Sequence, residues 1–141
     1  MKAPKAPPTV VVMFKPEFEA PTVVGTKRHT IRPPRKRQIP TGATLSLRVW
    51  TGLPYRTPQR EFLRVPFDRS DEITIHSDFV VITRREGTDI EVLRLASPAS
   101  LHALAQADGF WGWIAMRDWF AGTHGLPFTG CLIHWKQPSQ V

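Results

Sequence analysis

Cysteine is almost absent from this chain of 141 residues: Cys131 stands alone, so no intramolecular disulfide can form and no cysteine cluster can hold a metal. Long apolar runs are missing as well. The run at 10–14 (VVVMF) is far shorter than the hydrophobic stretch of a signal segment, and nothing approaches the roughly 18 apolar residues of a membrane span. A soluble, cytoplasmic protein with no membrane partner is the expectation, in a compartment where a free thiol survives. The five histidines (His29, His76, His102, His124, His134) show no pair at metal-ligand spacing and have no acid cluster beside them in sequence. Neither a metal nor a cofactor is called for, and the oligomeric state is left open.

Acidic residues are scarce in the first third of the chain. Residues 1–50 hold ten Lys or Arg against two Glu, whereas residues 51–141 hold nine against ten acids, so the formal charge of +7 is carried by the N-terminal part. Within 27–37 six of eleven residues are cationic (Lys27, Arg28, Arg32, Arg35, Lys36, Arg37) and none is acidic. Such a density is the footprint of a phosphate-binding surface, with a solvated loop kept charged for solubility as the plainer alternative.

The length suits one compact domain. Fourteen prolines argue against a helical bundle, and five Trp with eight Phe supply large areas for burial. The α+β class follows, with one domain over 9–136 between tails at 1–8 and 137–141. The β-branched run 10–14 reads as a buried strand, and 15–24 as a helical turn or ordered loop that delivers Gly25. Residues 44–49 alternate apolar and polar as in a half-exposed strand, and 62–65, 73–75, 79–83 and 90–95 read as short strands of a small curved sheet or barrel. Ser97 as N-cap, Pro98 behind it and Gly109 as terminator mark a helix. A second helix is expected over 110–120, burying Phe110, Trp113, Ile114, Met116 and Phe120, and "LPFTGCLIHW" reads as a closing strand. Trp111, Trp113 and Trp119 cannot all share one helix face.

The stretch "GTKRHTIR" has the spacing Gly-x-Lys-x-x-Thr-x-Arg. In a strand Thr30 and Arg32 point the same way, while Lys27 joins them only if the chain turns, and Gly25 permits that turn. The Lys27 ammonium then approaches the Thr30 hydroxyl, and Arg32 offers its fork of donors to a carbonyl or phosphate. Arg32 can also point outward to phosphate, because Pro33 and Pro34 hold the chain extended after it.

This motif, together with "IPTGATLSL", "ADGFWGWIAMRDWF" and "GLPFTGCLIHW", resembles the ASCH family over most of residues 10–135. The resemblance implies a PUA-like small β-barrel with two helices of the C-terminal half packed on it. It implies no single activity: some ASCH proteins release acetate from N4-acetylcytidine with a Lys, a Thr and a Glu, others are linked to RNA cleavage, and many are assigned an RNA-binding role. Carried over by position, the family Lys is Lys27, the Thr is Thr30 and the motif Arg is Arg32. Where the family Glu is expected the chain has Asp108, one methylene shorter.

Two functions follow. One is recognition of RNA, another single-stranded nucleic acid or a modified nucleobase, with Lys27, Arg28, Arg32, Arg35, Lys36 and Arg37 on phosphate and Trp50 and Tyr55 as stacking platforms. The other is a small amidohydrolase that deacylates an N4-acylcytidine nucleoside through Lys27, Thr30 and Asp108. Each residue also has a plain structural role open to it: Thr30 as a strand residue, Asp108 as the N-cap of the second helix, Trp50 and Tyr55 as core.

Overall fold

The computed structural model describes residues 8–137. Apart from Pro8 and Gln137, the expected tails lie outside them. The chain is α+β, a mixed sheet of seven strands carrying three short helices. Strand β1 (Thr9–Met13) runs parallel to β3 (Thr44–Trp50), with Val12 opposite Leu47. Between them lie a 3-10 turn (Pro16–Phe18), helix α1 (Glu19–Val24) and strand β2 (His29–Arg32). The remaining strands, β4 (Gln59–Ile75), β5 (Val80–Glu86), β6 (Asp89–Leu95) and β7 (Phe128–Trp135), all pair antiparallel. Helices α2 (Pro98–Ala107) and α3 (Trp113–Thr123) precede β7. The described pairings do not close the sheet: β1 pairs only β3, β2 only β7, and β6 only β5.

Two strands expected at 62–65 and 73–75 are one strand of 17 residues. The run "DRSDE" between them looks like a turn by composition, yet its backbone continues the ladder, with Arg69 opposite His134, Ser70 opposite Ile133 and Asp71 opposite Leu132. The strand changes partner near Pro66, which has no N–H to donate. Before that point it pairs β3, and after it, past a bulge between Phe67 and Arg69, it pairs β7 and then β5 as well. The half-exposed expectation for β3 is also corrected, since Ser46 is buried, its hydroxyl donating to Glu61 at 2.7 Å and accepting from Arg48 at 2.9 Å.

Neighbouring residues of β7 point to opposite faces, so Leu132 joins one core cluster and Ile133 with Trp135 joins another. Around Leu132 and Ile133 both faces of this strand are covered, which explains the successive apolar residues Cys131, Leu132 and Ile133. On one side Ile31, Ile73, Ile82 and Leu132 pack on Leu101, Leu104 and Ala105 of α2 and Met116 and Phe120 of α3. On the other, Val12, Phe14, Leu45, Leu47, Val65 and Phe67 pack around Ile133 and Trp135. Helix α2 forms as its signals predict, the Ser97 hydroxyl accepting from the Ser100 N–H. Helix α3 starts later than expected, at Trp113 after Gly112. Phe110 therefore packs from a loop, and Ile114 turns outward because Trp113, Met116 and Phe120 form the inner face. Among the tryptophans Trp111 is the outlier, 90% exposed on the loop between the helices.

Candidate functional site

Helix α1 ends on Gly25, whose φ of 89° is the left-handed conformation glycine adopts without strain. Two backbone bonds then fold the next residues inward: the Lys27 N–H donates to Pro21 at 2.9 Å, and the Arg28 N–H donates to the Ala107 carbonyl at 2.7 Å. The second bond ties the turn to the C-terminal end of α2, so Lys27 lands beside Asp108. The expected turn at Gly25 therefore forms, and it buries the lysine instead of displaying it.

Lys27 is 2% exposed, Thr30 4% and Asp108 3%. The lysine Nζ donates to the backbone carbonyl of Asp108 at 2.5 Å and to its carboxylate Oδ1 at 3.3 Å. Its ammonium lies 4.9 Å from the centre of the Phe18 ring and 5.7 Å from that of Phe14, close enough for cation–π attraction. Burial is the largest influence on this amine and lowers its pKa from lysine's usual range. Asp108 pulls the other way, and the Arg32 charge adds to the lowering. Asp108 caps the C-terminal end of α2 and is not the N-cap of α3, a place taken by Gly112.

Thr30 and Arg32 lie on the same side of β2, as the alternation requires, and both line a cavity of about 80 Å³ with Lys27 and Asp108. Phe14, Phe18, Phe110 and Trp119 form its aromatic wall and Lys15 stands at the same opening. Arg32 does not point outward to phosphate. Its guanidinium donates to the Met13 carbonyl at 2.6 Å, lies over Phe14 at 5.0 Å, and keeps a buried Nε with no partner among the described residues. A volume of 80 Å³ accepts a few waters or a small acyl group, whereas sites that enclose a whole small ligand begin near 300 Å³.

The fold thus divides the six cations of the basic run. Lys27 and Arg32 are withdrawn into the cavity, while Arg28, Arg35, Lys36 and Arg37 remain exposed. Arg35 borders a separate groove of about 580 Å³ that also takes in Arg69, Arg85 and Glu72. Trp50 and Tyr55 pair with ring centres 5.1 Å apart, Tyr55 being 89% exposed, and neither lines the cavity.

A buried polar chain behind the cavity was not foreseen. His29 Nδ1–H donates to Asp108 Oδ1 at 3.1 Å, and the His29 ring meets that of His134, its cross-strand partner, edge-on at 5.6 Å. His134 Nε2–H donates to Asp71 Oδ2 at 2.9 Å, and Arg69 and Arg84 flank the same oxygen at 3.3 and 3.7 Å. Burial, then the proximity of His29, pushes the His134 pKa down to about 4 against the pull of Asp71. The acids beside these histidines come from residues 71 and 108, far away in sequence, so spacing along the chain carried no trace of them.

The chain matches no protein-family model, no curated protein and no solved structure. Among the described residues no helix is long and apolar enough to cross a membrane.

Proposed function

We propose that this protein is a small amidohydrolase that removes an acyl group from the exocyclic amine of a nucleobase, an N4-acylcytidine being the first substrate to test. One observation carries the reading: the lysine of the Gly-x-Lys-x-x-Thr-x-Arg motif is buried with a lowered pKa, on a cavity shared with Thr30 and Arg32. A lysine meant for phosphate would be solvated and fully protonated. Burial and the Arg32 charge both make the amine easier to deprotonate, against the pull of Asp108.

In this reading the acyl group occupies the cavity and the planar base rests at its aromatic opening against Phe110 and Trp119. The Thr30 hydroxyl attacks the acyl carbonyl while Lys27 takes its proton, and the Arg32 guanidinium on the cavity wall donates to the developing oxyanion. Lys27 then returns the proton to the departing amine, and water releases the acid from the threonine ester. Asp108 holds the amine in place through its carboxylate and its backbone carbonyl. The same reading takes the bent sheet as an open variant of the PUA-like barrel, and places the protein in the cytoplasm.

The test is incubation of the purified protein with N4-acetylcytidine, followed by chromatography. Release of cytidine is expected, with losses on the order of a hundredfold or more in Lys27→Met and Thr30→Ala. Turnover that survives in Thr30→Ala, or none in the parent protein, overturns the assignment.

A second reading, nucleic-acid binding, is supported by the exposure of Arg28, Arg35, Lys36 and Arg37 on one segment. The two are compatible if the hydrolase takes its base from a polynucleotide. They separate by salt: contacts to several phosphates weaken steeply as salt is added, while turnover of an uncharged nucleoside does not.

A further inference from the structure

His29 opens strand β2 two residues beyond Lys27, buried behind the cavity, and no step of the proposed reaction uses it. Its Nδ1–H and the Lys27 ammonium converge on a single oxygen, Asp108 Oδ1, at 3.1 and 3.3 Å. A lysine–carboxylate hydrogen bond free to close reaches about 2.7–2.9 Å. Here the carboxylate is divided, and the nearer partner of the ammonium is the Asp108 backbone carbonyl at 2.5 Å, a dipole without net charge. The His29 ring is itself held from behind. His134 meets it across the β2–β7 pair, and Asp71 anchors His134 between Arg69 and Arg84.

We propose that His29 is a positioning residue, which anchors the Asp108 carboxylate and keeps it from closing onto the Lys27 ammonium. The inference rests on the reading of Lys27 as the base of the reaction, because only a base must give up its proton near neutral pH. The charged and titratable groups around the pair are few. Asp108 reaches Lys27 from the end of α2, Arg32 from β2, and Lys15 stands across the cavity. His29 faces Asp108 and His134. Without His29, Oδ1 belongs to Lys27 alone, the ion pair tightens, and the amine holds its proton to higher pH.

The experiment follows the Lys27 side-chain carbon beside Nζ by NMR during a pH titration of ¹³C-lysine-labelled full-length protein, the signal being assigned by its loss in Lys27→Met. Three variants separate position from polarity. His29→Leu removes the donor. His29→Asn keeps an N–H where Nδ1 stood, since the Asn amide nitrogen is the same number of bonds from the backbone. His29→Gln keeps an amide but carries it one methylene too far. The Leu and Gln variants are expected to raise the Lys27 midpoint by about one pH unit, a tenfold change in proton affinity, and the Asn variant to stay near the parent. If His29→Leu does not fold, the contrast between Asn and Gln decides. A shift shared by all the folded variants, or found in none, overturns the proposal. No substrate enters the titration, so the outcomes are separable. Expected shifts in a protein that hydrolyses no acylated base remove the hydrolase and keep the division of Asp108, and turnover with unshifted midpoints does the reverse.

Discussion

His134 provides a quantitative test of the buried polar chain. Its side chain is 19% exposed, and burial together with His29 pushes its pKa from 6.5 down to about 4. A histidine depressed in this way binds its proton more readily in the unfolded chain. Between the two values the unfolded state therefore carries the extra proton, and stability falls as pH falls. Measured from pH 7, where almost none of the difference is felt, the loss from this one group is about 2 kcal/mol at pH 5 and about 3 kcal/mol at pH 4. His134→Gln abolishes the titration while retaining an N–H for Asp71, because the Gln amide nitrogen reaches as far as imidazole Nε2. Urea unfolding of both proteins at pH 7, 5 and 4 reads the effect, and the difference between the two profiles cancels the carboxylates common to both. The parent protein is expected to lose stability faster than the variant by those amounts. Parallel profiles would mean that His134 titrates at its ordinary value, which is incompatible with a desolvated ring between His29 and Asp71.

Gly109 has φ +93°, and a Cβ there would lie 2.8 Å from the Phe18 ring and 3.0 Å from Lys27 Cδ. Gly109→Ala is expected to cost about 2 kcal/mol or more in urea unfolding and to displace the lysine, and unchanged stability would refute the close approach of the 108–110 loop. Replacing Arg35, Lys36 and Arg37 together by Ala should leave the unfolding midpoint where it was, since all three are exposed. It should also weaken binding to single-stranded RNA and reduce the slope of log affinity against log salt by about 2, from three contacts at about 0.7 each. An unaltered slope would take the run out of any phosphate surface.

The features of this chain written locally were legible. The Ser97 cap with Pro98, the turn at Gly25 and the apolar residues of β7 all depend on residues adjacent in sequence, and the structure forms each of them. What was not legible depends on pairing between distant segments. The polar run at 68–72 reads as a turn until its backbone finds β7 and Asp71 finds His134, Arg69 and Arg84. Only then is continuation of the strand cheaper than a break, because one oxygen of the buried carboxylate gathers His134, Arg69 and Arg84.

The basic run makes the same point at the candidate site. By local density its six cations look like one solvated surface, and Lys27 and Arg32 look no different from Arg35 and Arg37. The fold distinguishes them by two backbone bonds, Lys27 to Pro21 and Arg28 to Ala107, which turn one side chain toward Asp108 and its neighbour toward solvent. A buried lysine with a lowered pKa is not the lowest-energy solution for a small domain, since an apolar side chain among Phe14, Phe18 and Phe110 would avoid the desolvation cost. The arrangement also leaves Arg32 Nε without a partner, and an unpartnered buried donor is a further cost of about 1–3 kcal/mol. Both costs fall at one cavity, although Arg84 Nε and Trp135 Nε1, away from it, are also buried without a partner among the described residues. On the hydrolase reading proposed above, the two costs at the cavity are offset by the binding of a substrate acyl group.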